Sequence, residues 1–194
     1  MREPCGILLA AGAGRRFGSN KLLCPLEDGT PLLLHSVRRL REVLRQTLVV
    51  VDAADDQTHE LLTAEGVELV PNPDAARGMG SSLACGVKAS LAADGWIVAL
   101  ADMPWIQPWT IQAVADSLGD ETAICAPCYR GKRGHPVGFG KSYAGALMRL
   151  DGDEGARSVV AANRLQLQLI DTTDPGIIAD IDYPGELNKI TDFL

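Results

Sequence analysis

The chain has 194 residues, of which 46% are hydrophobic and 22% are charged, and its formal net charge at pH 7 is −7. This length supports one sizeable core, so we expect a single domain over residues 1–194. The acidic balance disfavours nucleic-acid binding through phosphate neutralisation, and no apolar run approaches the roughly 20 residues that a membrane helix needs.

Apolar runs of strand length alternate along the chain with helical patterns. We predict strands at 6–10, 48–52, 67–70, 96–101, 123–127 and 165–170, most of them continuous apolar runs typical of strands buried on both faces. We predict helices at 32–44, 58–65, 81–92, 110–118, 143–150 and 155–163. This alternation favours the α/β class, as a three-layer α/β/α sandwich around a Rossmann-like, mostly parallel sheet. Ligands of such sheets bind beyond the carboxyl ends of the strands, so the loops that follow strands are the candidate sites.

The N-terminal residues and the number of cysteines lead us to expect a cytoplasmic location. The first residues lack the layout of a signal peptide, and an odd number of cysteines argues against a disulfide framework. Cys125 and Cys128 form a C-x-x-C pair, but a zinc site would need a second pair at suitable spacing, and the sequence has none.

Acidic residues are unevenly distributed. Residues 4–26, 75–93 and 122–150 contain no Asp or Glu and hold ten of the 18 Lys and Arg residues. A local positive field inside an acidic protein indicates a small anionic ligand, and we expect a basic cleft.

The loop after the first predicted strand is rich in glycine and basic residues, reading Leu9-Ala10-Ala11-Gly12-Ala13-Gly14-Arg15-Arg16-Phe17-Gly18-Ser19-Asn20-Lys21. Glycines let backbone N–H groups approach phosphate oxygens, and Arg and Lys side chains bind phosphate. The dinucleotide motif fails because Phe17 stands at its third glycine, and the Walker motif fails because Asn20 precedes Lys21. The alternative is a solvated turn.

Two further loops carry candidate ligand groups. Gly78-Met79-Gly80-Ser81-Ser82-Leu83 opens a predicted helix, whose N-terminus offers free N–H groups to an anion or a base edge; an ordinary Ser N-cap is the alternative. Asp102 ends the strand predicted at 96–101, where a carboxylate can hold Mg²⁺ together with water and substrate phosphates.

Asp180 and Asp182, two residues apart, precede a Tyr-Pro-Gly turn. On an extended chain the two side chains face the same way. Turn formation alone is the alternative reading for Asp182.

The most basic stretch contains Arg133-Gly134-His135-Pro136. A histidine there could act as a base, donate to a phosphate or shape a turn. Asp153 and Arg157 follow in Gly152-Asp153-Glu154-Gly155-Ala156-Arg157, where helix capping by Asp153 is the alternative.

From about residue 7 to about residue 188, these motifs resemble the nucleotidyltransferases of the MobA-like fold, and within them the molybdenum cofactor cytidylyltransferases. The Leu9–Lys21 loop resembles the family signature, and Gly-His-Pro-Val-Gly-Phe and Gly-Asp-x-Gly-Ala-Arg resemble its acceptor-side motifs. The resemblance implies a sheet of the nucleotide-diphospho-sugar transferase type. It also implies transfer of CMP from CTP to Mo-molybdopterin, with Mg²⁺ as cofactor and a molybdenum hydroxylase as recipient of the product.

The resemblance also assigns residue roles. Arg16, Lys21 and Asp102 would be catalytic, and Asp102 and Asp182 would bind the metal. Nucleotide binding would use Leu9, Ala10, Ala11, Gly12, Gly14, Arg16, Lys21, Gly80, Ser81, Ser82 and Asp102. Acceptor binding would use Arg133, Gly134, His135, Pro136, Asp153 and Arg157. The alternatives are a relative that uses GTP or another phosphorylated acceptor, a non-catalytic molybdopterin-handling factor and a nicotinamide oxidoreductase.

Overall fold

A computed structural model of the protein describes residues 3–12 and 20–186. In this part of the chain the strands are Cys5–Leu9 (β1), Gln46–Asp52 (β2), Glu68–Asn72 (β3), Gly95–Leu100 (β4), Ile124–Tyr129 (β5), Lys132–Arg133 (β6), Val137–Gly140 (β7) and Leu167–Asp171 (β8). The α-helices are Leu32–Val43 (α1), Asp56–Ala64 (α2), Met79–Ala89 (α3), Pro108–Asp116 (α4), Ala144–Leu147 (α5) and Arg157–Ala162 (α6). None of the helices in the described residues is both long enough and apolar enough to cross a membrane.

The strands form one mixed sheet in the order β3-β2-β1-β4-β7-β5-β6, with β8 paired to β5. Pairing is parallel between β1, β2, β3 and β4, and also between β5 and β8. The predicted α/β fold with a mostly parallel sheet is therefore confirmed.

Apolar side chains alternate between the two faces of the central strand. Leu8 of β1 packs in one cluster with side chains of α1, α2 and α4. Its neighbours Ile7 and Leu9 pack in the other cluster with side chains of α3, α5 and α6. Because successive side chains of a strand point to opposite faces, one buried strand contributes to both cores, and helices cover the sheet on both sides.

Two strands, β6 and β7, were absent from the sequence prediction. Strand β7 is antiparallel and lies between β4 and β5 at the centre of the sheet. It has four residues, two of them glycine, so it is too short to give an apolar-run signal. A tight turn joins β5 to β6 through Arg130 and Gly131, both with positive φ, as a two-residue hairpin requires.

The predicted helices agree with the observed ones within a few residues at their ends. Helix α1 buries Leu33, Val37 and Leu40 on one face, as its apolar spacing predicts. Helix α2 begins earlier than predicted because Asp55 caps it by accepting a hydrogen bond from the Thr58 N–H.

Candidate active site

A cavity of about 690 Å³ opens at the carboxyl ends of β1, β2 and β4. The loop after β1 contributes Ala10, Ala11 and Gly12 to its wall, and Leu9 lies beside them. Asp52 ends β2, and Asp102 follows β4. The cavity therefore lies where an α/β sheet binds its ligands.

Lys21 occupies the centre of a group of oxygen atoms in this cavity. Its Nζ lies 2.9 Å from Asp102 Oδ2, 2.7 Å from the Ile181 carbonyl oxygen and 3.4 Å from Asp182 Oδ1. The Lys21 side chain is 13% exposed, so its ammonium is largely removed from bulk water. Three elements far apart in sequence thus meet at one ammonium group.

Asn20 fixes the backbone from which Lys21 extends. Its Oδ1 accepts from the Leu22 N–H and caps the short 3-10 turn that contains Lys21. Its Nδ2 donates to Asp55 Oδ2 at 2.8 Å and to Thr58 Oγ1 at 3.1 Å. The start of the Lys21 segment is therefore attached to the N-terminus of α2.

Asp102 is partly buried, and its two carboxylate oxygens differ. Oδ2 accepts from Lys21, whereas Oδ1 is buried with no hydrogen-bond partner among the described residues. Its backbone oxygen accepts from the Ile181 N–H at 3.0 Å, and this bond holds the segment that carries Asp182 against the strand end.

Glu186 orders the turn that follows Asp182. Its Oε2 accepts from the backbone N–H of Asp182 at 2.9 Å and of Tyr183 at 3.1 Å. The sequence could not show that Asp182 lies near Asp102. The structure brings both carboxylates to Lys21, whereas Asp180 is not among the described residues that line the cavity.

The segment that opens α3 contributes unequally to the cavity. Ser82 is buried. It lines the cavity together with Gly78 and Met79. Ser81 instead donates to the backbone oxygens of Asp74 and Gly78. Asn72 at the end of β3 donates to both serine hydroxyls.

Gly80, predicted to bind nucleotide, packs against a neighbouring loop. Its N–H donates to the Gly152 carbonyl oxygen at 2.7 Å, and a Cβ on it would lie 2.7 Å from the Asp151 backbone. Arg77 adds a two-pronged ion pair with Asp151, at 3.1 and 2.6 Å. The N–H of Gly80 is therefore engaged within the protein, and this contact fixes the loop that brings Asp153 to the cavity wall.

Most of the predicted acceptor-side residues lie outside the cavity wall. Arg133, Gly134, His135, Pro136 and Arg157 are absent from the described lining residues. The Gly134 N–H donates to the Pro127 oxygen, and the His135 N–H donates to the Ile177 oxygen, both at 2.9 Å. Pro136 follows a cis peptide bond. Of the six predicted acceptor residues, Asp153 is the one that reaches the cavity.

The surroundings of His135 favour the neutral form of its imidazole. Burial lowers its pKa below the ordinary value of 6.5, although a hydrogen bond with the Val98 backbone and the charge of Asp102 act to raise it. Its Nδ1 is buried with no hydrogen-bond partner among the described residues. A role as a cationic phosphate ligand at neutral pH is therefore disfavoured.

Two predicted nucleotide ligands, Gly14 and Arg16, lie outside the described residues. The described part of the wall has one basic residue, Lys21, and four aspartates, which are Asp52, Asp102, Asp153 and Asp182. The expected basic cleft is therefore absent from this part of the wall. A triphosphate in this cavity needs additional cations beside Lys21.

The two carboxylates at Lys21 fit a hard divalent cation such as Mg²⁺. Mg²⁺ prefers oxygen ligands and commonly binds through one or two carboxylates, keeping waters and substrate phosphates as further ligands. Asp102 Oδ1 is a buried oxygen with no hydrogen-bond partner in the described structure, and Asp182 is its neighbour across Lys21. No cluster of three or more His, Cys, Asp or Glu side chains suited to a metal occurs among the described residues. The site thus suits a cation shared with substrate phosphates.

The C-x-x-C pair is unsuited to joint chemistry. Cys125 and Cys128 both lie on β5, three residues apart, and residues at odd spacing on a strand face opposite sides of the sheet. Burial raises the pKa of the Cys125 thiol to about 11, which keeps it protonated and unreactive.

Residues 6–168 match the model of the MobA-like NTP transferase domain. The chain belongs to this family. Within this domain Lys21 and Asp102 follow the adjacent strands β1 and β4, and both line the cavity.

Three curated relatives are similar over nearly their whole length. The chain is 30% identical to the purine catabolism protein PucB of Bacillus subtilis, over 98% of both chains. It is 29% identical to the nicotine blue oxidoreductase of Paenarthrobacter nicotinovorans, over 96% of this chain and 97% of that one. It is 25% identical to the molybdenum cofactor cytidylyltransferase of Escherichia coli, over 93% of this chain and 91% of that one. The chain is thus similar to proteins with three different names, at 25–30% identity.

Two solved structures of one protein are also similar. Rv0371c of Mycobacterium tuberculosis superposes with a TM-score of 0.85 at 26% identity, covering 98% of each chain. Its complex with manganese superposes with a TM-score of 0.70 at 26% identity, covering 88% of each chain. A protein similar to this chain has thus been solved in complex with manganese.

Sequence reasoning missed two polar residues of this site. Asp52 lines the cavity, and its position as the last residue of a predicted strand was the signal that could have found it. Asn72 ends β3 in the same way and orients Ser81 and Ser82. Both follow from the rule that strand ends carry the ligand-facing groups.

Proposed function

We propose that this MobA-like protein transfers CMP from CTP to Mo-molybdopterin, giving molybdopterin cytosine dinucleotide and pyrophosphate. The observation that carries this proposal is the meeting of Lys21, Asp102 and Asp182 in one cavity at the strand ends. These groups suit a reaction between two phosphate groups. The ammonium can bind phosphate directly, and the two carboxylates can hold a cation that neutralises the negative charge of the phosphates.

The chemistry of the acceptor removes the need for a general base. A phosphate monoester has a second pKa of about 6, so it is mostly a dianion at pH 7 and already a nucleophile. The groups that line the cavity then need only to bind and orient the reactants. Catalysis becomes chiefly a matter of position and electrostatics.

Lys21, and by resemblance Arg16, would bind the triphosphate and stabilise the pyrophosphate as it leaves. Asp102 and Asp182 would hold Mg²⁺, which supplies positive charge at the phosphates when bound. The acidic wall supports this assignment, because four nearby aspartates oppose binding of a triphosphate unless a cation accompanies it.

Ala11 supports CTP as the nucleotide. The corresponding motif of the guanylyltransferase relatives resembles Leu-Ala-Gly-Gly, whereas this chain has Leu9-Ala10-Ala11-Gly12. Ala11 lines the cavity, and this position supports a role for its methyl group in disfavouring a purine base. The similarity to the Escherichia coli cytidylyltransferase supports the same choice.

The acceptor side is supported by Asp153 and by the loop that carries it. The Gly152–Arg157 motif resembles that of the cofactor cytidylyltransferases, and its first residues pack on the segment that opens α3. A molybdenum hydroxylase is the proposed recipient of the finished cofactor.

Pyrophosphate release with purified protein and Mg²⁺ tests the proposal. CTP and GTP are each combined with Mo-molybdopterin, with a sugar phosphate or with no acceptor, and we expect release only with CTP and Mo-molybdopterin. Preference for GTP would refute the nucleotide assignment, and release with the sugar phosphate would refute the acceptor.

Two further outcomes separate the remaining alternatives. Binding of molybdopterin without pyrophosphate release from any nucleotide would favour a cofactor-handling factor. Oxidation of NADH or NADPH in the same preparations would favour an oxidoreductase, the activity that the name of the Paenarthrobacter relative states.

A further inference from the structure

The Lys21 ammonium has the environment of a bound cation. Its three nearest acceptors are a carboxylate oxygen of Asp102, a carboxylate oxygen of Asp182 and the Ile181 carbonyl oxygen, at 2.9, 3.4 and 2.7 Å. Two carboxylates and one carbonyl form the kind of oxygen set that Mg²⁺ and Mn²⁺ prefer. The ammonium therefore lies where a divalent cation would be held.

A divalent cation and this ammonium cannot both use these oxygens at short range. Like charges a few ångströms apart repel strongly, and repulsion is greater where water is excluded. The Lys21 side chain is 13% exposed, and that of Asp102 is 24% exposed. A divalent cation held by the three oxygens that Lys21 Nζ now contacts therefore requires Nζ to move away.

The structure lets the side chain move while its backbone stays fixed. Asn20 caps the turn that holds Lys21 and bonds to Asp55 and Thr58. Beyond Cα, a lysine has a flexible four-carbon stem, and Lys21 itself borders the cavity. The ammonium can thus leave the carboxylates and remain within the cavity.

We propose that Lys21 is exchanged for the divalent cation and so couples metal binding to nucleotide binding. Lys21 opposes binding of the metal alone, because it must first give up its bonds to Asp102 and Asp182. A nucleotide triphosphate compensates for this loss by offering new anionic partners to the ammonium. Metal and nucleotide therefore favour each other's binding, and the coupling is reciprocal. This inference rests on the proposed function for the position of the triphosphate.

Mn²⁺ binding tests the exchange without any measurement of turnover. Free Mn²⁺ is followed by electron paramagnetic resonance in titrations of the wild type, Lys21→Met and Lys21→Gln, first without nucleotide and then with CTP, allowing for Mn²⁺–CTP formation in solution. Lys88→Met is the matched control, since Lys88 is an exposed residue of α3 outside the cavity wall.

We expect both Lys21 variants to bind Mn²⁺ alone about tenfold more tightly than the wild type, because the competing charge is gone. We also expect CTP to tighten Mn²⁺ binding in the wild type and to do so about tenfold less in the variants. The Lys88 variant should match the wild type in both titrations. Two Lys21 variants are used so that a folding defect of one leaves the other to decide.

The exchange is refuted if a folded Lys21 variant binds Mn²⁺ alone no more tightly than the wild type. It is also refuted if the wild type binds no Mn²⁺ in either condition, or if CTP tightens Mn²⁺ binding equally in all proteins. The proposed function fails separately, through absent pyrophosphate release. If the Lys21 variants bind Mn²⁺ more tightly than the wild type but the wild type transfers no nucleotide, the exchange stands and the proposed reaction is rejected.

Discussion

Replacing Asp102 by asparagine separates the chemical role of this carboxylate from its structural role. The substitution keeps the size of the side chain and the backbone bond from the Ile181 N–H to the Asp102 oxygen. Lys21 loses a charged acceptor at 2.9 Å but retains the Ile181 oxygen at 2.7 Å and Asp182 Oδ1 at 3.4 Å. We therefore expect the free energy of unfolding to fall by only about 1 kcal/mol.

The expected loss of activity is much larger than this loss of stability. If Asp102 holds the cation at the reacting phosphates, an amide in its place should lower the rate of nucleotide transfer by about 10³-fold or more, which corresponds to about 4 kcal/mol in the transition state. Initial rates of pyrophosphate release and urea unfolding of the same preparations measure the two quantities. Asp116→Asn is the control, because Asp116 is an exposed aspartate of α4, outside the cavity wall, that also accepts a side-chain hydrogen bond, from Gln112.

Two results would contradict this reasoning. Transfer by Asp102→Asn within about threefold of the wild-type rate would exclude Asp102 as the essential metal ligand. A loss of about 4 kcal/mol in unfolding free energy would instead show that the carboxylate is chiefly structural. The control variant should leave both measurements unchanged.

Three further predictions concern other parts of the site. Ala11→Gly removes the methyl group at the cavity wall, and we expect the ratio of GTP to CTP turnover to rise about tenfold; an unchanged ratio would exclude Ala11 from base selection. Asn20→Ala removes the cap before Lys21, and we expect kcat to fall about tenfold with little change in the KM for nucleotide; a change confined to KM would contradict a positioning role. Burial lowers the pKa of His135 in the folded state, so as the pH falls the imidazole is protonated first in the unfolded chain. Protonation of His135 therefore lowers the free energy of unfolding below about pH 6.5 and has no effect on it above that pH. Urea unfolding at pH 7.5 and 5.5 should show a smaller acid-induced loss for His135→Gln than for the wild type, and equal losses would contradict the pKa direction.

Sequence reasoning from strand ends predicts the residues of the site that lie at or immediately after strands. Leu9 and Asp102 are found in this way because long buried strands give strong signals and their carboxyl ends share one edge of the sheet. Asp182 follows no strand, and only the family resemblance assigned it a role. Its position depends on tertiary contacts, including the bond between Ile181 and Asp102, which no local pattern reports.

The acceptor-side prediction shows why a basic, glycine-rich stretch is ambiguous. Residues 130–139 contain a hairpin turn and then β7, which is inserted antiparallel at the centre of the sheet. In a four-residue strand with two glycines, the local sequence resembles a loop, and the strand forms because β4 and β5 both pair with it. Gly80 shows the same ambiguity, since a glycine predicted to bind nucleotide and a glycine needed for close packing, as on Asp151, look alike in sequence.

The distribution of charge along the sequence also differs from its distribution in space. Residues 75–93 and 122–150 lack acidic residues, yet the described wall of the cavity receives aspartates from the flanking segments, at Asp52, Asp102, Asp153 and Asp182. In the described wall Lys21 is the one basic residue beside these aspartates, so an anionic ligand there is stabilised by any further cation that accompanies it. The proposed metal dependence, and the proposed coupling of metal and nucleotide through Lys21, both rest on this arrangement of charges.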